Sequence, residues 1–237
     1  MRRLVLLVML VACATGRTQA PPPVAEDSDD DPEATDDVIP TASPNTSSTL
    51  LAEARRELAA ARESHYAHHT SVDEARGSFD YDCSGFVGYA LARATPQAFA
   101  AVTAATRARP LAKDSYAFFA RPSAPWQRVD RIAELVPGDV IAWLEPPAKH
   151  TRNTGHVMVV DQAPTPGDRT GEYVVSVIDS SHSGHGAGDA RVRDHRNGLG
   201  TGSIVLLGDD VGRPAGYRWS LAARSRSYTT AIALGRP

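Results

Sequence analysis

Gly155-His156-Val157-Met158-Val159-Val160-Asp161 is followed, after Ala163-Pro164-Thr165-Pro166-Gly167-Asp168, by Tyr173-Val174-Val175-Ser176-Val177-Ile178-Asp179. Two runs dense in β-branched residues, joined by a segment of turn-forming Pro, Gly and Asp, predict an antiparallel hairpin. Just upstream, Pro137-Gly138 reads as a turn leading into a strand over 139–144, and further strands are expected at 203–207, 215–220 and 228–234. Nearer the N-terminus the apolar period changes from two to that of a helix. Leu51, Ala54, Leu58 and Ala61 share one face of a helix over 50–64, with Ser47, Ser48 and Thr49 as possible caps. A second helix is expected over 84–94, with Phe86, Val87, Ala90 and Leu91 as its stripe and Pro96 limiting its end. The stretch 97–130 is Ala-rich and then Pro-broken, and reads as an irregular insertion with one helix. Helices first and sheet afterwards predict an α+β domain, N-terminal helices packed on an antiparallel β-sheet.

The chain has 237 residues, 42% hydrophobic and 22% charged, enough for one catalytic-sized domain with a real core. Its net charge of -3 is unevenly spread, since Glu26, Asp27, Asp29, Asp30, Asp31, Glu33, Asp36 and Asp37 fall together. The remainder is close to neutral, which excludes the electrostatic footprint of a nucleic-acid binder. Met1-Arg2-Arg3 and the apolar run Leu4–Ala12 form a signal peptide over 1–12, too short to span a bilayer. Leu10-Val11-Ala12-Cys13 resembles a bacterial lipobox, which implies a mature chain beginning at a lipidated Cys13, held at the membrane by that anchor only. Ala14, rather than aspartate, in second place implies an outer-membrane lipoprotein facing the periplasm. Residues 13–48 hold almost no large apolar side chain and are expected to form a disordered acidic tether, leaving 49–237 as the folded domain.

Only two cysteines exist, so a lipidated Cys13 leaves Cys83 as a lone thiol in an oxidising compartment. In Phe79-Asp80-Tyr81-Asp82-Cys83-Ser84-Gly85-Phe86-Val87 that thiol stands at the head of the second predicted helix. Unpaired N–H groups there favour thiolate over thiol. Compact Ser84 and Gly85 would let a substrate carbonyl approach, and the Cys83 N–H is a candidate oxyanion donor. A thiolate nucleophile needs an imidazole to pair with it and to protonate the leaving group. Among eight histidines, His156 heads a strand and so sits on rigid scaffold. A hairpin centred between Gly167 and Asp168 sets position 156 opposite 179, so Asp179 could orient the imidazole. His182 and His185 compete for that third place.

Asp82-Cys83-Ser84-Gly85-Phe86, Pro137-Gly138-Asp139-Val140 and Gly155-His156-Val157, in that order, resemble the NlpC-type cell-wall cysteine peptidases over roughly 51–234. The resemblance implies a papain-like fold and hydrolysis of amide bonds in peptidoglycan stem peptides through an acyl-enzyme thioester. It calls for no cofactor. An upstream tyrosine in that family helps at the oxyanion site, and Tyr66 is its match. The sequence departs from the family in following Tyr66 with Ala67-His68-His69-Thr70, in offering Asp179 where His, Asn or Gln is usual, and in the length of 97–130. An N-acetylmuramoyl-L-alanine amidase, a thiol acyltransferase and a catalytically inactive wall-binding lipoprotein fit the same motifs.

A final cluster is Asp179-Ser180-Ser181-His182-Ser183-Gly184-His185 with Asp189, Arg191 and Asp194. It reads either as a substrate-binding loop, with His182 at the site and Arg191 meeting a stem-peptide carboxylate, or as a surface loop with an internal ion pair. His182, His185, His68, His69 and Asp189 lack a recognised metal-ligand spacing, so no metal is expected. The expected oligomeric state is a monomer.

Overall fold

The computed structural model describes residues 46–149 and 153–237. The signal peptide, Cys13 and the tether up to residue 45 lie outside the described residues. The chain begins with α1 (Thr46–Ala60) and a small sheet of β1 (Glu63–His65), β2 (Ser71–Asp73) and β3 (Ser78–Asp80), in the order β1-β3-β2. Three helices follow, α2 (Cys83–Ala94), α3 (Pro96–Ala105) and α4 (Ala112–Ala120). The remainder is β4 (Gln127–Val129), β5 (Val140–Leu144), β6 (Gly155–Pro166), β7 (Glu172–Ser181), a short α5 (Ala190–Arg193), β8 (Gly198–Gly208), β9 (Pro214–Arg218), β10 (Ser227–Thr229) and β11 (Ile232–Arg236). The architecture is α+β, as the change of period predicts. The large sheet is antiparallel throughout, in the order β10-β9-β8-β7-β6-β5-β11-β4.

Only Thr230 and Ala231 separate β10, at one edge, from β11, near the other. So short a link forces the sheet to curl upon itself. Both faces are therefore covered, which explains why β5 and β6 read as continuous apolar runs rather than alternating ones. Val140, Ala142, Val157 and Val159 meet the helices through Leu50, Phe86, Val87 and Phe119. Ile141, Trp143, Met158 and Val160 meet Val177, Ile204, Leu206 and Tyr217 in a second core inside the curl.

Four expectations are corrected. Helix α1 starts at Thr46, inside the stretch assigned to the tether, because Ser47 is buried and its hydroxyl bonds Asp139 Oδ1 at 3.4 Å. The insertion holds two helices and an edge strand: Pro96 ends α2 and also opens α3, where its missing N–H costs nothing. The expected hairpin loop 163–168 is largely strand, with the reversal falling between β6 and β7 at 167–171. Pro164 and Pro166 are tolerated because the register slips on either side of Gln162 and the β5 partner has by then ended. The strand expected at 228–234 is broken into β10 and β11.

Candidate active site

Asp82 is the N-cap of α2, its Oδ1 accepting from the Gly85 N–H at 2.8 Å and the Ser84 hydroxyl at 2.9 Å. Cys83 thereby becomes the first helical residue, with an N–H that has no partner within the helix. The preceding turn is held from two sides. The Ser180 hydroxyl of β7 donates to the Tyr81 carbonyl at 2.6 Å, and the buried Tyr81 hydroxyl donates to Glu57 Oε2 at 2.8 Å. Burial pushes the Glu57 carboxyl up to about 8, although the Tyr81 bond pulls the other way. Gly85 does not open the way to substrate as expected: it is buried, and a Cβ there would lie 2.7 Å from Thr70 Oγ1 and 2.9 Å from Tyr81 Cβ. Its smallness serves packing.

His156 heads β6 because Gly155 precedes it. Gly155 has φ of +128°, and a Cβ would stand 1.7 Å from the Trp143 carbonyl oxygen of β5, so only glycine allows this strand to start here. The His156 Nε2 lies 2.6 Å from Asp179 Oδ2, which leaves Nδ1 for the Cys83 sulfur, whose charge acts on the ring. The register behind this contact differs from the expected one. The ladder pairs Val159 with Ile178, so counting on sets His156 opposite Ser181, with Asp179 as its diagonal neighbour. The observed register differs from the expected one by two residues, an even number, so both side chains stay on one face and within reach. Burial disfavours a charged His156 ring, yet the Cys83 sulfur and the Asp179 bond outweigh it and push the pKa up to about 10.

Asp179 is wholly buried. Burial alone would raise its pKa, but the charges of His185 and Arg191 and the bonds from both histidines hold the carboxyl well below the usual carboxylate range. Arg191 corrects the expectation of a substrate contact and bears out the internal ion pair, although in a buried setting rather than on the surface. It is only 2% exposed, and it donates to Asp179 Oδ1 at 2.8 Å, to both oxygens of Asp189, to the Ser181 hydroxyl and to the carbonyls of Asp179 and Gly198. All five of its N–H groups are engaged within the domain, so none is left for a substrate carboxylate. Its work is to hold Asp179.

Two clefts meet at the thiol and imidazole. One, of about 230 Å³, runs past Cys83, Ser84, Asp82 and Arg109; the other, of about 640 Å³, runs past His156, His182, Trp143, Tyr217, Trp219 and Lys149. Tyr66, His68, Asn153 and Gly155 border both. Burial and the nearby charges of Cys83 and Asp82 raise the Tyr66 pKa, which keeps its hydroxyl a donor. Cys83, His156, Asp179, Tyr66, Ser84 and His182 are thus brought together, whereas Gly85 and Arg191 are withdrawn. Sequence reasoning missed Arg109, which lies in the insertion with no motif to mark it, and Trp219, whose ring covers His156 at 5.1 Å and His185 at 4.1 Å between centroids. The capping role of Asp82 did have a signal, an aspartate one residue before a helical stripe. Among the described residues there is no cluster of His, Cys, Asp and Glu suited to a metal ion, and no helix is long and apolar enough to cross a membrane.

Fold and site together define an α+β domain with a curled antiparallel sheet, which bonds a histidine to an aspartate beside a cysteine at the head of a helix. An uncharacterized protein of Acanthamoeba polyphaga mimivirus is 33% identical over 162 residues, covering 61% of this chain and 70% of the viral one, and the chain belongs to the same family as that protein. No family model and no solved structure matches the sequence.

Proposed function

We propose that the chain is a papain-like cysteine hydrolase of the NlpC type, a lipoprotein anchored through Cys13 and facing the periplasm, which cuts amide bonds in peptidoglycan stem peptides. The observation that carries the reading is the line Cys83–His156–Asp179 at the junction of two clefts. The Cys83 sulfur attacks the amide carbonyl carbon, and the carbonyl oxygen takes up negative charge beside the Cys83 N–H and the Tyr66 hydroxyl. His156 passes its proton to the amide nitrogen, the C–N bond breaks, and a free amine leaves a thioester on Cys83. Water then adds to the thioester with His156 taking its proton, and the acid departs as the thiol is restored. Since the proton comes from the imidazole, the amine-bearing part belongs in the larger aromatic cleft and the acyl part beside Cys83 and Arg109.

Defined muropeptides incubated with wild type, Cys83→Ala and Cys83→Ser test the chemistry. Loss of cleavage in both variants with unchanged circular dichroism is expected, and undiminished turnover by Cys83→Ala would refute the mechanism. Mass spectrometry of the products separates stem-peptide cleavage from removal of the whole stem at L-alanine, because the two leave different termini. Incorporation of labelled palmitate, lost in Cys13→Ala, tests the anchor.

A further inference from the structure

Asp179 Oδ2 is shared between two imidazoles, His156 Nε2 at 2.6 Å and His185 Nε2 at 3.1 Å, while Oδ1 receives Arg191 Nη2 at 2.8 Å. His185 is itself buried and fixed from every side. Its backbone N–H donates to Asp189 Oδ2 at 2.8 Å, its Nδ1 stands 3.1 Å from the Trp219 carbonyl, and its ring lies against the Trp219 indole. On the β8 side the approach is so close that a Cβ at Gly202 would meet the His185 Cβ at 2.7 Å. The ionisable groups facing it are Asp179 from β7, Asp189 and Arg191 from the start of α5, and His156 from β6 across the shared oxygen. A ring held this closely between two accepting oxygens does more than fill space.

We infer that His185 is a positioning residue that donates to Asp179 Oδ2 and so limits how tightly this carboxylate retains the proton on His156. The role rests on the hydrolase reading of the site. Each donor to a carboxylate oxygen draws off part of its negative charge. Deprived of the His185 bond, Oδ2 becomes a stronger acceptor. His156 then stays protonated to higher pH and is slower to release its proton to a leaving amine. The Trp219 Nε1–H donates to the Gly184 carbonyl at 3.1 Å, which fixes the indole that lies against the His185 ring.

Two substitutions separate this role from packing. His185→Phe keeps an aromatic ring against Trp219 and removes the donors, whereas His185→Gln keeps a side-chain N–H for Oδ2. The pH dependence of Cys83 alkylation by iodoacetamide and the ¹⁵N resonances of the His156 ring are followed in the full chain. In His185→Phe the alkaline transition of His156 should move up by about one pH unit or more, and His185→Gln should stay near wild type. A folded His185→Phe with an unmoved transition overturns the inference. Should His185→Phe not fold, the wild-type ¹⁵N spectrum decides: a proton bonded to His185 Nε2 and shifted downfield supports the role, and a bare Nε2 ends it. Cys83 reacting no faster than a free thiol at every pH would instead sink the hydrolase reading, while the His156 resonances would still judge His185.

Discussion

Two aspartate–arginine pairs flank the thiol and the imidazole, Asp82 with Arg109 on the cysteine side and Asp179 with Arg191 on the histidine side. Both close at 2.8 Å, but their settings differ: the Arg109 side chain is 40% exposed, that of Arg191 only 2%. Distance therefore does not distinguish them; solvent does. The Asp179 pair is wholly desolvated and braced by Asp189 and His185, so its geometry cannot relax without stranding a charge. Burial also raises the Asp82 carboxyl, but Arg109, Gly85 and Ser84 outweigh it and hold its pKa below the ordinary value, and water still reaches the arginine. The buried pair is locked beside His156; the other leaves its arginine open to water.

The comparison breaks most sharply at Asp179. Asp179→Asn keeps the shape but removes the charge that holds the His156 tautomer, and should lower kcat by about a hundred- to ten-thousand-fold in muropeptide cleavage. The sign for pH follows from the same bond. Asp179 helps raise the His156 pKa to about 10, so its neutralisation should bring the alkaline limb down toward neutrality. Arg191→Met comes next. It leaves Asp179 and Asp189 buried without their cation, and urea unfolding should show a loss of about 3–5 kcal/mol.

What the sequence alone could yield follows the same division. The two hairpin strands, the amphipathic helices and the Cys83 and His156 motifs are legible because period and motif are local, whereas Asp179 is reached only because a register wrong by an even number keeps the same face. The curl of the sheet was not, since it depends on the two-residue link between β10 and β11, where a break in an apolar run carries no strong turn signal. Arg191 stays open in the sequence between a substrate contact and an internal ion pair, because nothing local says which acids it meets. Its burial comes from Asp179 and Asp189 converging on it from β7 and from the cap of α5, a coincidence in space. Arg109 was silent for a similar reason: the turn between α3 and α4 brings it to Asp82 across 27 residues.

The cysteine side has a buried acid of its own, and Glu57 tests whether burial matters as much there. With the folded pKa near 8 and an ordinary value of 4.5, the native chain keeps a proton over a range in which the unfolded chain has lost it. Stability should accordingly fall as pH rises from about 4.5 to 8, by about 1.4 kcal/mol for each pH unit. Glu57→Gln removes the titrating group and keeps an acceptor for Tyr81. Urea midpoints across that range should flatten in the variant; an unchanged slope would mean that Glu57 ionises in the fold as freely as in water.

The smallest effect on stability is expected at Arg109. Its partner Asp82 keeps the Gly85 and Ser84 donors without it, and an ion pair open to water contributes little, so Arg109→Ala should cost less than about 1 kcal/mol in the same unfolding measurement. Activity should respond differently. Arg109 borders the cleft beside Cys83, and its ion pair is with Asp82 rather than with Asp179. A neutral side chain there should raise KM for substrates with a carboxylate in the acyl part, by about tenfold for one lost charged contact, and leave kcat nearly unchanged. Amidated substrates should show no such rise. A large loss of kcat in Arg109→Ala would mean that the wet pair, too, helps place the nucleophile, and the contrast between the two sides would disappear.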